Sequence, residues 1–99
     1  MSERIIRHVI VRGRVQGVGY RDWTRYVARE RGIEGWVRNR QDGSVEAVFA
    51  GTSEAVTGMV MACRKGPSHA AVADIEERDG TAEELELRGE KSFAVLPTV

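Results

Sequence analysis

Residues 5–21 read Ile5-Ile-Arg-His-Val-Ile-Val-Arg-Gly13-Arg-Val-Gln-Gly17-Val-Gly19-Tyr-Arg21. The β-branched run over 5–12 predicts a strand. Three glycines then fall within nine residues, and a helical pattern starts directly after them. Glycine lets the backbone take φ > 0 and approach a ligand closely. A strand that enters such a turn and leaves it as a helix gathers free N–H groups into one concavity, and the helix N-terminus adds partial positive charge. Arg21 brings a permanently charged fork that fits a phosphate. The stretch fits a phosphate cradle with a guanidinium clamp. Taken alone it also fits an ordinary glycine-rich turn with Arg21 solvated in the first helical turn. It does not follow GxGxxG and no Gly-Lys-Ser/Thr comes after it, so neither nucleotide loop is matched.

Outward from this stretch, residues 21–31 place Trp23, Tyr26, Val27 and Glu30 at helical spacing, with Trp23 and Tyr26 expected to face the core and Gly32 as the stop. Residues 34–40 predict a second strand, in which Trp36 packs against the sheet or a loop. Asp42-Gly43 is a hairpin signal. Residues 44–50 then put Val45, Ala47 and Phe49 on one face of a third strand. Thr52 or Ser53 caps a second helix with Glu54 in its first turn. Its stripe is Ala55, Val56, Met59, Val60 and Cys63, and Gly66-Pro67 ends it. Residues 70–78 predict a fourth strand. Residues 79–91 are acidic and poorly patterned and read as a loop or a short irregular excursion. Residues 93–96 read as a terminal strand. The order is βαββαβ with an extra C-terminal strand. Two helices with apolar stripes must cover one face of a mainly antiparallel sheet, an α+β, ferredoxin-like sandwich. Ninety-nine residues make one domain, 1–99. That fold hosts many functions, so the chemistry must come from the site.

The chain has no net charge, yet residues 1–49 carry ten arginines against six acids and residues 50–99 five basic residues against nine acids. The basic half suits an anionic small ligand. The zero total argues against a nucleic-acid footprint. An RNA-binding sheet of this topology needs exposed aromatics on its central strands, and the third strand offers only Phe49. No apolar run approaches the ~20 residues of a membrane span and no signal peptide is visible, so a cytoplasmic protein off the membrane is expected. Cys63 is alone, which leaves no internal disulfide and no CxxC site, and its place on the apolar stripe makes it a core residue. His8 and His69 are isolated and read as structural or surface histidines. Arg12, Arg14 and Arg38 fit a contribution to the field of the site, but read first as solvated surface arginines. No metal ligand cluster is visible, and neither a cofactor nor an obligate protein partner is expected.

Residues 35–39, Gly35-Trp-Val-Arg-Asn39, end directly before the hairpin. Asn39 fits a turn asparagine bonded to its own backbone. It also fits an amide beside the cradle, holding water through its oxygen and ligand through its nitrogen. Here the sequence closely resembles the acylphosphatase family. Gly13 to Arg21 matches that family's first signature throughout, with Tyr20 where phenylalanine is also usual. The second block, from Gly35-Trp-Val-Arg-Asn39 through Gly43 and Val45 to Gly51, matches its second signature with the spacing intact. Gly66-Pro67 followed by Ala70 and Val72 also fits. The resemblance implies hydrolysis of the carboxyl–phosphate anhydride of a small acyl phosphate, without a metal. It implies that Arg21 binds the phosphate, that Asn39 positions the attacking water, and that backbone N–H groups of Val15, Gln16, Gly17, Val18, Gly19 and Tyr20 hold the phosphate oxygens. A related domain that binds an anion without turnover is the rival, and the presence of both Arg21 and Asn39 speaks against it.

Overall fold

Strand β1 (Arg4–Arg14) buries Val9 and Val11 on one face and His8 on the other. The computed structural model describes residues 3–99. After β1 come α1 (Tyr20–Glu30), β2 (Glu34–Asn39), β3 (Val45–Thr52), α2 (Ser53–Lys65), β4 (Ala71–Asp79), α3 (Ala82–Glu86) and β5 (Phe93–Val95). The strands form one sheet in the order β4-β1-β3-β2-β5. β3 lies antiparallel between β1 and β2, β4 pairs antiparallel with β1, and β5 runs parallel to β2. The mainly antiparallel ferredoxin-like sandwich is therefore present, with the C-terminal strand on the β2 edge.

One sheet face carries Val9, Val11, Val37, Val45, Ala47 and Phe49, packed against Ala28 of α1 and Val56, Met59, Val60 and Cys63 of α2. Phe49 is fully buried there and stacks on Phe93 at 6.1 Å, so the RNA-binding reading loses its one aromatic. Thr52 caps α2 through its side chain, and Gly66 closes it at φ 67°. The opposite face buries Trp36, Val48 and Ala94 beside Ile6, Leu85 and Leu96.

Two expectations need correction. Residues 79–91 are not irregular throughout: α3 starts at a capping box, in which Thr81 Oγ1 accepts from the Glu84 N–H and Glu84 Oε1 accepts from the Thr81 N–H. The Trp36 indole N–H donates to the Glu84 carbonyl at 2.6 Å, which docks this helix on the second face. Tyr26 does not face the core. It is 63% exposed, because α1 buries Tyr20, Thr24 and Ala28, a stripe repeating every fourth residue. Thr24 is admitted there because its hydroxyl donates to the Tyr20 carbonyl at 2.7 Å. Trp23 is half-buried at the edge of that stripe, against Tyr20.

Candidate active site

The first strand runs two residues further than the apolar pattern predicts. Its register with β4 shifts between Arg12 and Gly13, and a Cβ on Gly13 would lie 2.3 Å from the Ala71 carbonyl oxygen. Gly13 thus serves close strand packing, and the loop proper begins at Val15. Val15 is buried at its base and Val18 packs against the main core. Gly17 and Gly19 both take left-handed φ, 75° and 79°. Open space surrounds both, so it is the backbone conformation that calls for glycine.

Gly19 is the N-cap of α1 and offers no side-chain acceptor. The first helical bond runs from the Trp23 N–H to the Gly19 carbonyl. Among the described residues, no N–H from Gln16 to Asp22 donates to a protein acceptor. Such free donors at a helix start are an anion site. Tyr20 fixes the helix start from below: its hydroxyl donates to the Cys63 carbonyl at 2.6 Å and its ring lies against Gly66. Burial raises the Tyr20 phenol well above its ordinary range. Burial also pushes the Cys63 thiol up to about 12, against the opposing pull of the Tyr20 hydroxyl and Arg31. Cys63 is accordingly a packing residue.

Asn39 is the last residue of β2 and shares the helix-facing parity of Val37. Its backbone is held on both sides, by the register pair with Val45 and by the Val99 N–H donating to its carbonyl at 3.2 Å. The hairpin beyond it closes through Arg40 N–H to Ser44 O at 2.9 Å and Gly43 N–H to Arg40 O at 3.1 Å. Asp42 accepts from the Ser44 hydroxyl and N–H, bonds that hold its carboxyl below the ordinary carboxylate range.

These elements enclose a cavity of about 230 Å³. The loop lines it with Val15, Gln16, Gly17 and Gly19, and α1 adds Tyr20, Arg21 and Asp22. Asn39 of β2 and Val95 of β5 complete the wall. Among the described residues the Arg21 guanidinium has neither a carboxylate partner nor a protein hydrogen bond. Asn39 Oδ1 is buried and receives no hydrogen bond from the protein. Arg21 with its unpaired guanidinium, loop residues with unused N–H donors and Asn39 with an unused buried acceptor thus line one small space. That set suits an oxyanion with a water molecule beside it.

Of the residues that the sequence assigns to catalysis and phosphate binding, Val18 alone is absent from the cavity wall, and its side chain is packed on the core. Asp22 and Val95 line the cavity and were not foreseen. Asp22 carries an i,i+3 contact to Arg25 at 3.8 Å, with its side chain 83% exposed. Val95 reaches the wall through the parallel pairing of β5 with β2, which local sequence does not encode. The other candidates lie elsewhere. Arg12 pairs with Glu76 and Asp42. Arg38 pairs with Glu46 at 2.8 Å and sits over the Trp36 ring on the second face. His8 is buried there with Nε2 2.7 Å from Glu46 Oε2, and His69 is exposed. Among the described residues no three metal-ligating side chains converge. Among the described residues no helix is long and apolar enough to cross a membrane.

The family model described as Acylphosphatase matches residues 7–95. The chain is 54% identical over 97 residues to an acylphosphatase of Rhodopseudomonas palustris (strain BisB18), covering 96% of this chain and 97% of that relative. Among solved structures it is similar to an acylphosphatase from Coxiella burnetii, with a TM-score of 0.83 and 31% identity over 94% of this chain and 93% of that one. It is equally similar to acylphosphatase from Bacillus subtilis, with a TM-score of 0.82 and 35% identity over 93% of this chain and 98% of that one.

Proposed function

The chain belongs to the acylphosphatase family and is an acylphosphatase, and from that premise we propose that Arg21 and Asn39 are its catalytic residues. In this reading the backbone of Val15, Gln16, Gly17, Val18, Gly19 and Tyr20 holds the phosphate. One observation carries it: Arg21 with its unpaired guanidinium, loop residues with unused N–H groups and Asn39 with its unpartnered Oδ1 line the same cavity.

The chemistry follows from the bond broken. A carboxylate leaves an acyl phosphate without protonation, so no general acid is needed. Phosphoryl transfer then depends mainly on positioning and on stabilising charge at the equatorial oxygens. Arg21 and the loop amides supply the charge, and their donors are fixed before the substrate arrives. Asn39 Oδ1 accepts a hydrogen bond from the attacking water and aims it at phosphorus. An amide does not titrate in the useful range, so Asn39 orients without acting as a base. The water's proton passes to a phosphate oxygen of the substrate, and the products are a carboxylate and inorganic phosphate.

In the same reading residues 1–99 form one domain that works in the cytoplasm on a small acyl phosphate and requires no metal, nucleic acid or protein partner. The test is phosphate release from benzoyl phosphate, with p-nitrophenyl phosphate as the ester control. Turnover of the anhydride, none of the ester, and unchanged rates after exhaustive dialysis against EDTA are expected. Inactivation by EDTA with recovery on adding Mg²⁺ or Zn²⁺ would overturn the metal-free mechanism.

A further inference from the structure

The side chain of Gln16 does something that the phosphate loop alone does not require. Its Nε2 donates to two backbone carbonyls of the β2–β3 hairpin, Arg40 O and Ser44 O, each at 2.8 Å. A primary amide has two N–H bonds, so one goes to each carbonyl. The two acceptors bracket Asn39. Arg40 follows it in the chain, and Ser44 precedes Val45, its cross-strand partner. Both carbonyls already accept a backbone N–H, from Gly43 and Arg40 respectively. The turn is therefore closed without Gln16, and the added bonds fix the hairpin relative to the loop. Ser44 is 2% exposed and both bonds are partly buried.

We infer that Gln16 is a positioning residue for hydrolysis: its side-chain amide ties the phosphate loop to the hairpin and sets the separation between bound phosphate and the water on Asn39. This rests on the roles proposed above for the loop and Asn39. One residue then touches both halves of the reaction, phosphate through its backbone and the water-bearing strand end through its side chain. An error of about 1 Å between reacting groups is enough to cost ~10²-fold in rate. Phosphate affinity depends on the loop and Arg21, which the tether does not supply.

The test is a double-mutant cycle on benzoyl phosphate hydrolysis with Gln16→Met, which keeps length and loses both donors, and Asn39→Ala. Gln16→Met is expected to lower kcat by ~10–100-fold, and the inhibition constant for inorganic phosphate is expected to move less than ~3-fold. In the Asn39→Ala background the same substitution should change kcat by less than ~3-fold, because the group it positions is gone. Unchanged kcat in Gln16→Met, or an equal loss in both backgrounds, overturns the proposal. If Asn39→Ala alone keeps wild-type kcat, the underlying reading of the site fails instead. Gln16→Ala serves as a second variant should the methionine not fold. In the unsubstituted protein, NMR couplings across the hydrogen bonds from the Gln16 amide to the Arg40 and Ser44 carbonyl carbons are expected, and their absence also overturns the tether.

Discussion

In the proposed mechanism Arg21 supplies charge and Asn39 position, and single substitutions distinguish the two contributions. Arg21→Gln keeps hydrogen-bonding capacity and removes the charge and the bidentate fork. Loss of one fixed donor typically costs ~10²–10³-fold, so kcat/KM should fall by at least that much. The inhibition constant for phosphate should rise in parallel, with an unchanged far-ultraviolet circular dichroism spectrum. Retention of wild-type kinetics would falsify the assignment. Asn39→Ala should instead lower kcat by ~10²-fold with phosphate inhibition close to wild type, the signature of an interaction made in the transition state. A rise in KM at constant kcat would make Asn39 a binding residue and remove its role with water. At this scale Arg21 and the glycines were legible because their conformational and charge properties are intrinsic. The partners of Gln16 and the unpaired state of Asn39 Oδ1 were not, since they depend on which strands become neighbours.

The elements divide in the same way. β1, β3 and α2 announce themselves by long apolar periods of two or of 3.6 residues. The five-residue α3 is too short for a period to show, and its signal was the pair Thr81 and Glu84 at capping-box spacing. Its stability has a definite pH signature. The Arg78 hydrogen bond, opposed by partial burial and reinforced by the Thr81 N–H, brings the Glu84 carboxyl down to about 2. A folded-state pKa below the unfolded value stabilises the protein above the unfolded value, 4.5, and that contribution is lost as pH falls towards 2. Glu84→Gln removes the charge that titrates and keeps a side chain able to serve the capping box. Measured by urea unfolding, the variant should be less stable at neutral pH by about 0.5 kcal/mol, the scale of an exposed ion pair with Arg78. The deficit should shrink as pH drops from 4.5 towards 2. A difference independent of pH would mean that Glu84 acts by packing and not through its charge.

Across the whole molecule, the basic and acidic halves of the chain do not form separate surfaces. The basic β1 lies beside the acidic β4, and Arg7 pairs with Asp79 and Arg12 with Glu76 across that seam. Arg7 and Arg12 are thus met by acids of the second half, whereas Arg21, with no carboxylate partner among the described residues, lies at the cavity wall. Binding should therefore be local and specific, and folding and ligand should be linked through this site. A ligand that binds only the native state adds RT ln(1 + [L]/Kd), about 1.4 kcal/mol at tenfold excess over Kd. For a domain of this size that corresponds to a rise in Tm of ~4–8 °C. Inorganic phosphate should produce this rise in the wild-type protein and in His69→Ala, whose side chain is exposed and not part of the cavity wall. The rise should vanish in Arg21→Gln. Ionic strength is matched with chloride, so that screening of the cross-strand pairs is not mistaken for binding. If phosphate raises Tm equally in wild type and Arg21→Gln, the anion is bound by other arginines, and the free guanidinium at the start of α1 is not what selects the substrate.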